Sequence, residues 1–257
     1  MTGLSCTDCG RAICPSCSID AAVGQRCPEC VRRVGRQKTI NMRGGRTQAA
    51  TPVTMGIIAV TVAIHVMQYV MPGVWDDLVR QFGMWNRGVA AGEWWRMLTV
   101  VAVHANLMHI AFNMLALYSL GPQIERELGG VRLGALYVAA AAGGSAFAYL
   151  LGSPDDFGVG ASGAIFGLFG VWLASAFRRR NTRYGRYLLG QLGGILAINA
   201  AIPLFVRSVS WQAHLGGLIA GFLIGQVWTR VRGKDAYAWH LASAAVMTLA
   251  ALSLAFV

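Results

Sequence analysis

Acidic residues are scarce in this chain. Only eleven Asp and Glu occur in 257 residues, and each lies in the first thirty residues, in a loop, or at the end of an apolar stretch. Charged residues of both signs make up 13%, against 55% hydrophobic, and the mean hydropathy is +0.50. Ordinary soluble domains carry about 25% charged residues, so this balance excludes one. The lack of carboxylates within the apolar stretches argues against an ion-coupled transporter, which needs acidic groups along its path. It also leaves no acid there to orient a histidine. Cysteine is absent beyond Cys30.

Apolar stretches are abundant. Spanning the hydrocarbon core takes roughly 20 apolar residues, and such stretches fall near residues 53–71, 107–124, 133–151, 157–177, 187–206, 209–228 and 236–257. The fold class is therefore an all-α polytopic membrane protein. The first stretch follows about fifty Cys- and Arg-rich residues and has no small-residue cleavage site, so it does not read as a signal peptide.

The net charge of +11 reports topology. With the N-terminus in the cytoplasm, eighteen of the 22 Lys and Arg fall inside, and Arg80, Arg87, Arg96 and Arg207 remain outside. That asymmetry matches the positive-inside rule and displaces a nucleic-acid reading. In this orientation the fourth and sixth spans both enter from the outer face. Ser162 and His214 each lie about six residues along, roughly 9 Å down at the helical rise.

A nucleophile and a base at equal depth are the chemical core of the sequence. A serine hydroxyl becomes nucleophilic when a neighbouring base takes its proton, and histidine titrates in the right range. Gly163 and Gly167 on the fourth span, and Gly217, Gly221 and Gly225 on the sixth, line one face of each helix with small residues and let the backbones approach. With no acid available, the pair reads as a Ser162–His214 dyad. His109 and Asn113, four apart on the second span, share a face and can donate to an oxyanion, as can the Ser162 amide. His104 is expected on a neighbouring face nearer the outer surface.

These residues resemble the rhomboid intramembrane serine proteases. The likeness covers residues 93–225: Trp95 and Arg96 in the first outer loop; His104, His109 and Asn113; Gly121, Glu125 and Gly129 at the inner end of the second span; Gly160, Ala161, Ser162 and Gly163; and Ala213 and His214 followed by Gly217 and Gly221. The resemblance implies a six-helix core, a dyad of Ser162 and His214, and an oxyanion site of His109, Asn113 and the Ser162 amide. It also implies a membrane-embedded outer loop around Trp94, Trp95 and Arg96, a structural Glu125, and no cofactor for catalysis. The implied partners are the lipid bilayer and single-span or multi-span membrane proteins, cut in or near a transmembrane segment. Localisation follows as a multi-pass plasma-membrane protein whose site opens to the outer face. Two departures stand out. Phe166 occupies the place where many members have a Tyr that stacks on the histidine, and residues 236–257 form a seventh span, with His240 expected at the membrane interface. The competing reading is an inactive rhomboid-like protein that binds or escorts membrane clients.

All six cysteines occur as C-x₂-C pairs: Cys6 and Cys9, Cys14 and Cys17, Cys27 and Cys30. Disulfides are disfavoured in the cytoplasm, and paired thiolates suit tetrahedral zinc. Cys6, Cys9, Cys27 and Cys30 have the two-knuckle zinc spacing, leaving Cys14 and Cys17 two ligands short. The segment resembles a B-box-like zinc finger found before some bacterial rhomboids. That resemblance implies a further Cys and His upstream, so either the protein starts before Met1 or one zinc ion suffices. The organisation expected is a zinc-binding segment at 1–31, a basic linker at 32–51, the six-helix core at 52–231 and the additional helix at 232–257.

Overall fold

The computed structural model describes residues 4–6, 9–20, 25–35, 50–205, 209–231 and 235–256. The chain divides into two compact units, Met1–Ala50 and Thr51–Val257. In the first, a 3₁₀ turn at Pro15–Cys17 leads to β1 (Ile19–Asp20), which pairs antiparallel with β2 (Gln25–Arg26), and α1 (Pro28–Gly35) follows. Its core consists of Cys6, Ile13, Cys27 and Cys30. So little apolar burial does not sustain a domain by itself, and units of this size normally add a metal or disulfides. Most of the basic linker expected at 32–51 lies outside the described residues.

The second unit is an all-α polytopic membrane fold. Its elements are α2 (Pro52–Val70), α3 (Pro72–Phe82), β3 (Met84–Trp85), α4 (Asn86–Ala90), α5 (Arg96–Thr99), α6 (Leu107–Leu128), α7 (Gly130–Leu151), β4 (Phe157–Gly158), α8 (Ser162–Arg178), α9 (Arg183–Phe205), α10 (Trp211–Arg230) and α11 (Ala236–Ser253). By length and apolarity alone, α7 and α11 are each sufficient to cross a membrane, and the segment 96–102 with α6 forms a pair bent by 96°. The first six long helices form the core and α11 is the addition, packed against α7 and α10.

Small residues place α7, α8 and α10 at the centre. Ala139–Ala142, Gly143 and Gly144 of α7 are all buried. A Cβ at Gly217 would overlap the Gly163 carbonyl, and one at Gly221 would overlap that of Gly167. The spacing of four that the sequence shows is thus the seam along which α8 and α10 touch backbone to backbone. Dispersion and close packing drive association where lipid removes the hydrophobic driving force.

The long helices alternate in direction, which gives the bundle two ends. The starts of α6, α8 and α10 lie at one end, and the starts of α2, α7, α9 and α11 at the other. At the latter, Glu125 near the end of α6 accepts from the backbone N–H of Val53 (2.9 Å) and Thr54 (2.8 Å) and from the Thr54 hydroxyl (2.6 Å). A carboxylate on the first-turn amides of α2, which have no intrahelical acceptor, supplies their missing hydrogen bonds and answers the positive end of the helix dipole. This is the structural role expected of Glu125.

The start of the fourth span differs from the helix expected from residue 157: Phe157–Gly158 is a strand paired with Met84–Trp85, and α8 begins at Ser162 itself. Gly160 has φ +119°, outside helical geometry, so the chain reaches Ser162 as strand and turn rather than by six helical residues. The 17 residues of α8 reach about 26 Å, short of the roughly 30 Å core. His240, near the start of α11, is buried in the protein, with its ring stacked on Trp228 at 5.2 Å and 21°.

Candidate active site and cysteine cluster

Local sequence explains how each candidate is presented. Asn106 caps α6 by accepting from the His109 N–H at 2.9 Å, and Ser210 caps α10 by accepting from the Ala213 N–H at 3.2 Å. Both histidines therefore sit in the first turn of a capped helix, where rotamer and backbone are well defined. Ser162 occupies the first position of α8, where the N–H has no intrahelical acceptor. The amides just before it are engaged: Gly160 N–H donates to the Val100 carbonyl at 3.0 Å, and Ala161 N–H donates to His104 Nε2 at 3.3 Å.

His104 thus has a place different from the expected one. It precedes α6, is fully buried, and holds the turn before the serine. Its neutral form with the proton on Nδ1 is the tautomer that can accept from Ala161. The His109 ring lies edge-on to it, with centroids 5.1 Å apart, and packs over Gly160, where a Cβ would meet His109 Nε2 at 2.6 Å. Gly160 is required twice, for its positive φ and for this approach. Asn113 is buried one turn further and donates to the His109 carbonyl at 2.9 Å.

On the other side, His214 stacks on Phe166 with centroids 4.2 Å apart and an interplanar angle of 7°. Phe166 is four residues after Ser162, on the same face of α8. The ring therefore fixes the imidazole plane from the helix that carries the serine. Among the described residues no hydrogen bond joins Ser162 to His214, and no carboxylate contacts His214. His109, Asn113, Ser162 and His214 share this end of the bundle, and the Ala213 carbonyl lies 3.3 Å from a Cβ built on Gly163.

The loop region between α3 and α6 is organised by Arg96. Its buried guanidinium pairs with Glu93 and donates to the carbonyls of Arg80 (2.5 Å) and Gly83 (2.9 Å). A second clamp lies beside it. Asn86, buried, donates from its side chain to the carbonyls of Ala148 (3.2 Å) and Ser153 (2.8 Å), and Arg87 pairs bidentately with Asp155. The Arg87 guanidinium holds the Asp155 carboxyl below its ordinary value. With β3 and β4, these contacts fix residues 153–158 on their way to Ser162. Asn86, Asp155 and His104 are the residues whose roles sequence reasoning missed; only the Asn and Gly punctuation around them hinted at turns.

In the first unit, the thiols of Cys6, Cys9, Cys27 and Cys30 lie within 4.8 Å of one another. Cys9 Sγ and Cys27 Sγ are 3.9 Å apart, close to the roughly 3.8 Å separation of two thiolates on tetrahedral zinc with 2.3 Å bonds. The Cys27 N–H donates to Cys6 Sγ at 3.3 Å, the outer-shell contact that supports a thiolate ligand. Contact with the Cys27 thiol, more than burial, pushes the Cys30 thiol up to about 12, a cost that a bound dication removes. The four residues fit a soft divalent metal. Cys14 and Cys17 are exposed and lie outside this group.

Comparison with known proteins agrees with the architecture. The Rhomboid domain family matches residues 91–231. YdcA of Bacillus subtilis (strain 168), itself only provisionally named a rhomboid protease, is 36% identical over 151 residues, covering 59% of this chain and 74% of that protein. Rhomboid protease GluP of the same organism is 39% identical over 137 residues, 53% of this chain and 26% of its own length. RHOMBOID-like protein 6, mitochondrial, of Arabidopsis thaliana is 33% identical over 163 residues, 60% of this chain and 52% of its own. The chain belongs to the rhomboid family.

Proposed function

We propose that this chain is an intramembrane serine endopeptidase that hydrolyses a peptide bond in or near a transmembrane segment of a membrane-anchored protein. The observation that supports the reading is the Phe166–His214 stack, because the residue one turn after Ser162 orients the imidazole from the helix that carries the serine, a task a carboxylate performs in a triad. Ser162 Oγ attacks the substrate carbonyl while His214 takes its proton. His109, Asn113 and the Ser162 N–H donate to the oxyanion. Collapse breaks the C–N bond, and the leaving amine takes the proton from His214. Water then adds to the acyl-serine ester, His214 accepts its proton, and Ser162 recovers it as the ester breaks. Catalytic hydrogen bonds often tighten only with substrate present, and the Ser162–His214 contact is assigned to that step.

The chemistry needs no cofactor. Cys6, Cys9, Cys27 and Cys30 are the ligands of a structural zinc site at 1–31; Cys14 and Cys17 would contribute only to a second site with ligands from elsewhere. The protease core is 52–231, and the added helix 232–257. The protein sits in the plasma membrane with its N-terminus in the cytoplasm and Ser162 open to the outer face.

The test uses purified protein in vesicles with a labelled single-span substrate and Ser162→Ala beside it. Cleavage by the parent and a loss of at least about 10³-fold in the variant are expected. Equal cleavage would remove Ser162 from its role. No cleavage, with no labelling of the parent by a fluorophosphonate, would favour the inactive client-binding reading. Zinc content near one ion per chain, lost in Cys27→Ser, is expected for the first unit.

A further inference from the structure

The arginines at the end of the bundle away from Ser162 have no assigned chemistry. Arg178, Arg179, Arg180, Arg183 and Arg186 sit within nine residues where α8 turns into α9, and all five are exposed. The turn that carries them is well formed. Thr182 Oγ1 donates to the Arg179 carbonyl at 2.8 Å and accepts from the Gly185 N–H at 3.0 Å, and Gly185 is packed against the Arg179 carbonyl. The side chains that are held at all are held by backbone carbonyls and a ring. Arg180 donates to the Phe177 carbonyl at 3.2 Å with its guanidinium 4.5 Å over the Phe177 ring, and Arg186 donates to the Asn181 carbonyl at 3.3 Å. Among the described residues none of the five pairs with a carboxylate, and the sequence has no Asp or Glu from 157 to 234.

The site end is the opposite case. Its Arg80, Arg87 and Arg96 are each paired with a carboxylate, from Asp77, Asp155 and Glu93. A membrane protein able to neutralise arginine internally has left five uncompensated in one turn. The turn lies about 24 Å along α8 from Ser162, which puts it at headgroup depth on the opposite face. Tyr184 and Tyr187, both exposed, are the amphipathic residues that favour that depth. Guanidinium forks match phosphate oxygens bidentately.

From these observations we infer that the Arg178–Arg186 turn is a docking surface for anionic phospholipid headgroups. Its consequence is mechanical: α9 packs chiefly on α8, so lipid phosphate at its first turn ties the start of α9 to the bilayer.

Native mass spectrometry of the full chain in neutral detergent, titrated with phosphatidylglycerol or phosphatidylcholine, tests this without reference to proteolysis. The expected result is a clear preference for phosphatidylglycerol, falling on the order of 10²-fold in Arg179→Gln/Arg180→Gln/Arg183→Gln, as expected from losing three cationic contacts at a membrane surface. Binding of phosphatidylcholine and the melting temperature should stay the same in the variant. Should the variant not fold, the parent decides: its preference must weaken as salt rises from about 0.1 to 1 M, where screening shortens to about 3 Å. Equal binding of both lipids by the parent, or equal phosphatidylglycerol binding by parent and folded variant, overturns the inference and leaves the arginines as topology signals only. Displacement of the lipid by an equal concentration of inorganic phosphate would also overturn it, by showing a free-anion site.

Discussion

The two ends of the bundle handle charge in opposite ways. At the serine end, each described arginine is paired with a carboxylate, and these pairs pin loops: Arg96 holds 80–83, and Arg87 with Asn86 holds 153–158. At the far end, Glu125 is spent on the amides of α2 and Arg132 lies over the Tyr237 ring, while the five arginines from 178 to 186 face outward without a carboxylate. Charge near the chemistry is used for internal geometry, and charge away from it is directed at the surroundings. The proposed hydrolysis would need a loop held to fractions of an ångström, whereas the opposite end only has to keep its helices started and seated.

That contrast can be broken in graded ways. The largest effect is expected from Gly217→Val, which drives a branched side chain into the Gly163 carbonyl and should destabilise the bundle by about 3 kcal/mol or more. Melting in detergent measures it, and a folded, active Gly217→Val would contradict the backbone seam. His104→Ala comes next. It leaves a buried Ala161 N–H unsatisfied, costing about 1–3 kcal/mol, and lets the turn before Ser162 drift. We expect kcat to fall 10-fold to 100-fold, by analogy with roughly ångström-scale misplacement, with KM little changed. A KM effect alone would place His104 in binding instead.

Glu125→Ala should act on stability without touching the chemistry, by about 1–2 kcal/mol, the size of a lost cap. If kcat falls at a temperature where the variant is fully folded, the two ends are not independent. The smallest effect belongs to the Arg87–Asp155 pair, which is solvent-exposed and so weak. Because Arg87 lowers the Asp155 carboxyl, the clamp is fully present above about pH 4, the ordinary carboxylate value, and fades as pH drops through the lowered one. Arg87→Gln should therefore flatten the acid limb of the stability curve, and an unchanged limb would remove the pair from the clamp.

Much of this architecture could be read from residues alone. Hydropathy placed the long helices because a spanning helix must be apolar over its length, and Gly217 and Gly221 at spacing four marked the α8 contact because only a bare backbone can approach so closely. Other features were beyond reach. The start of α8 was misplaced because Phe157, Val159 and Ala161 are as apolar as a helix would be, and the glycine at 160 signals a break only once its φ is known. His104 was grouped with His109 and Asn113 by assuming one helical phase, which Asn106 interrupts as a cap. Arg96 and its i,i+3 partner Glu93 could be read, but the loop that Arg96 gathers could not, because its other acceptors are carbonyls, which every residue possesses. Pairing of β3 with β4 rests on two residues each, too few to leave a periodic signal. Trp228 lies only twelve residues before His240, but the two are on consecutive helices, and only the docking of α11 on α10 brings their rings together.

The Glu125 cap also sets an order of events during synthesis. Its carboxylate lies 72 residues after Val53 and 71 after Thr54, so a ribosome adding 5–20 residues per second produces it roughly 4–15 s after the amides it will satisfy. For that interval α2 sits in the membrane with its first turn unfinished, answered only by water and lipid headgroups. The first of the long helices to be made is thus left unsecured until the second, α6, arrives to seat it.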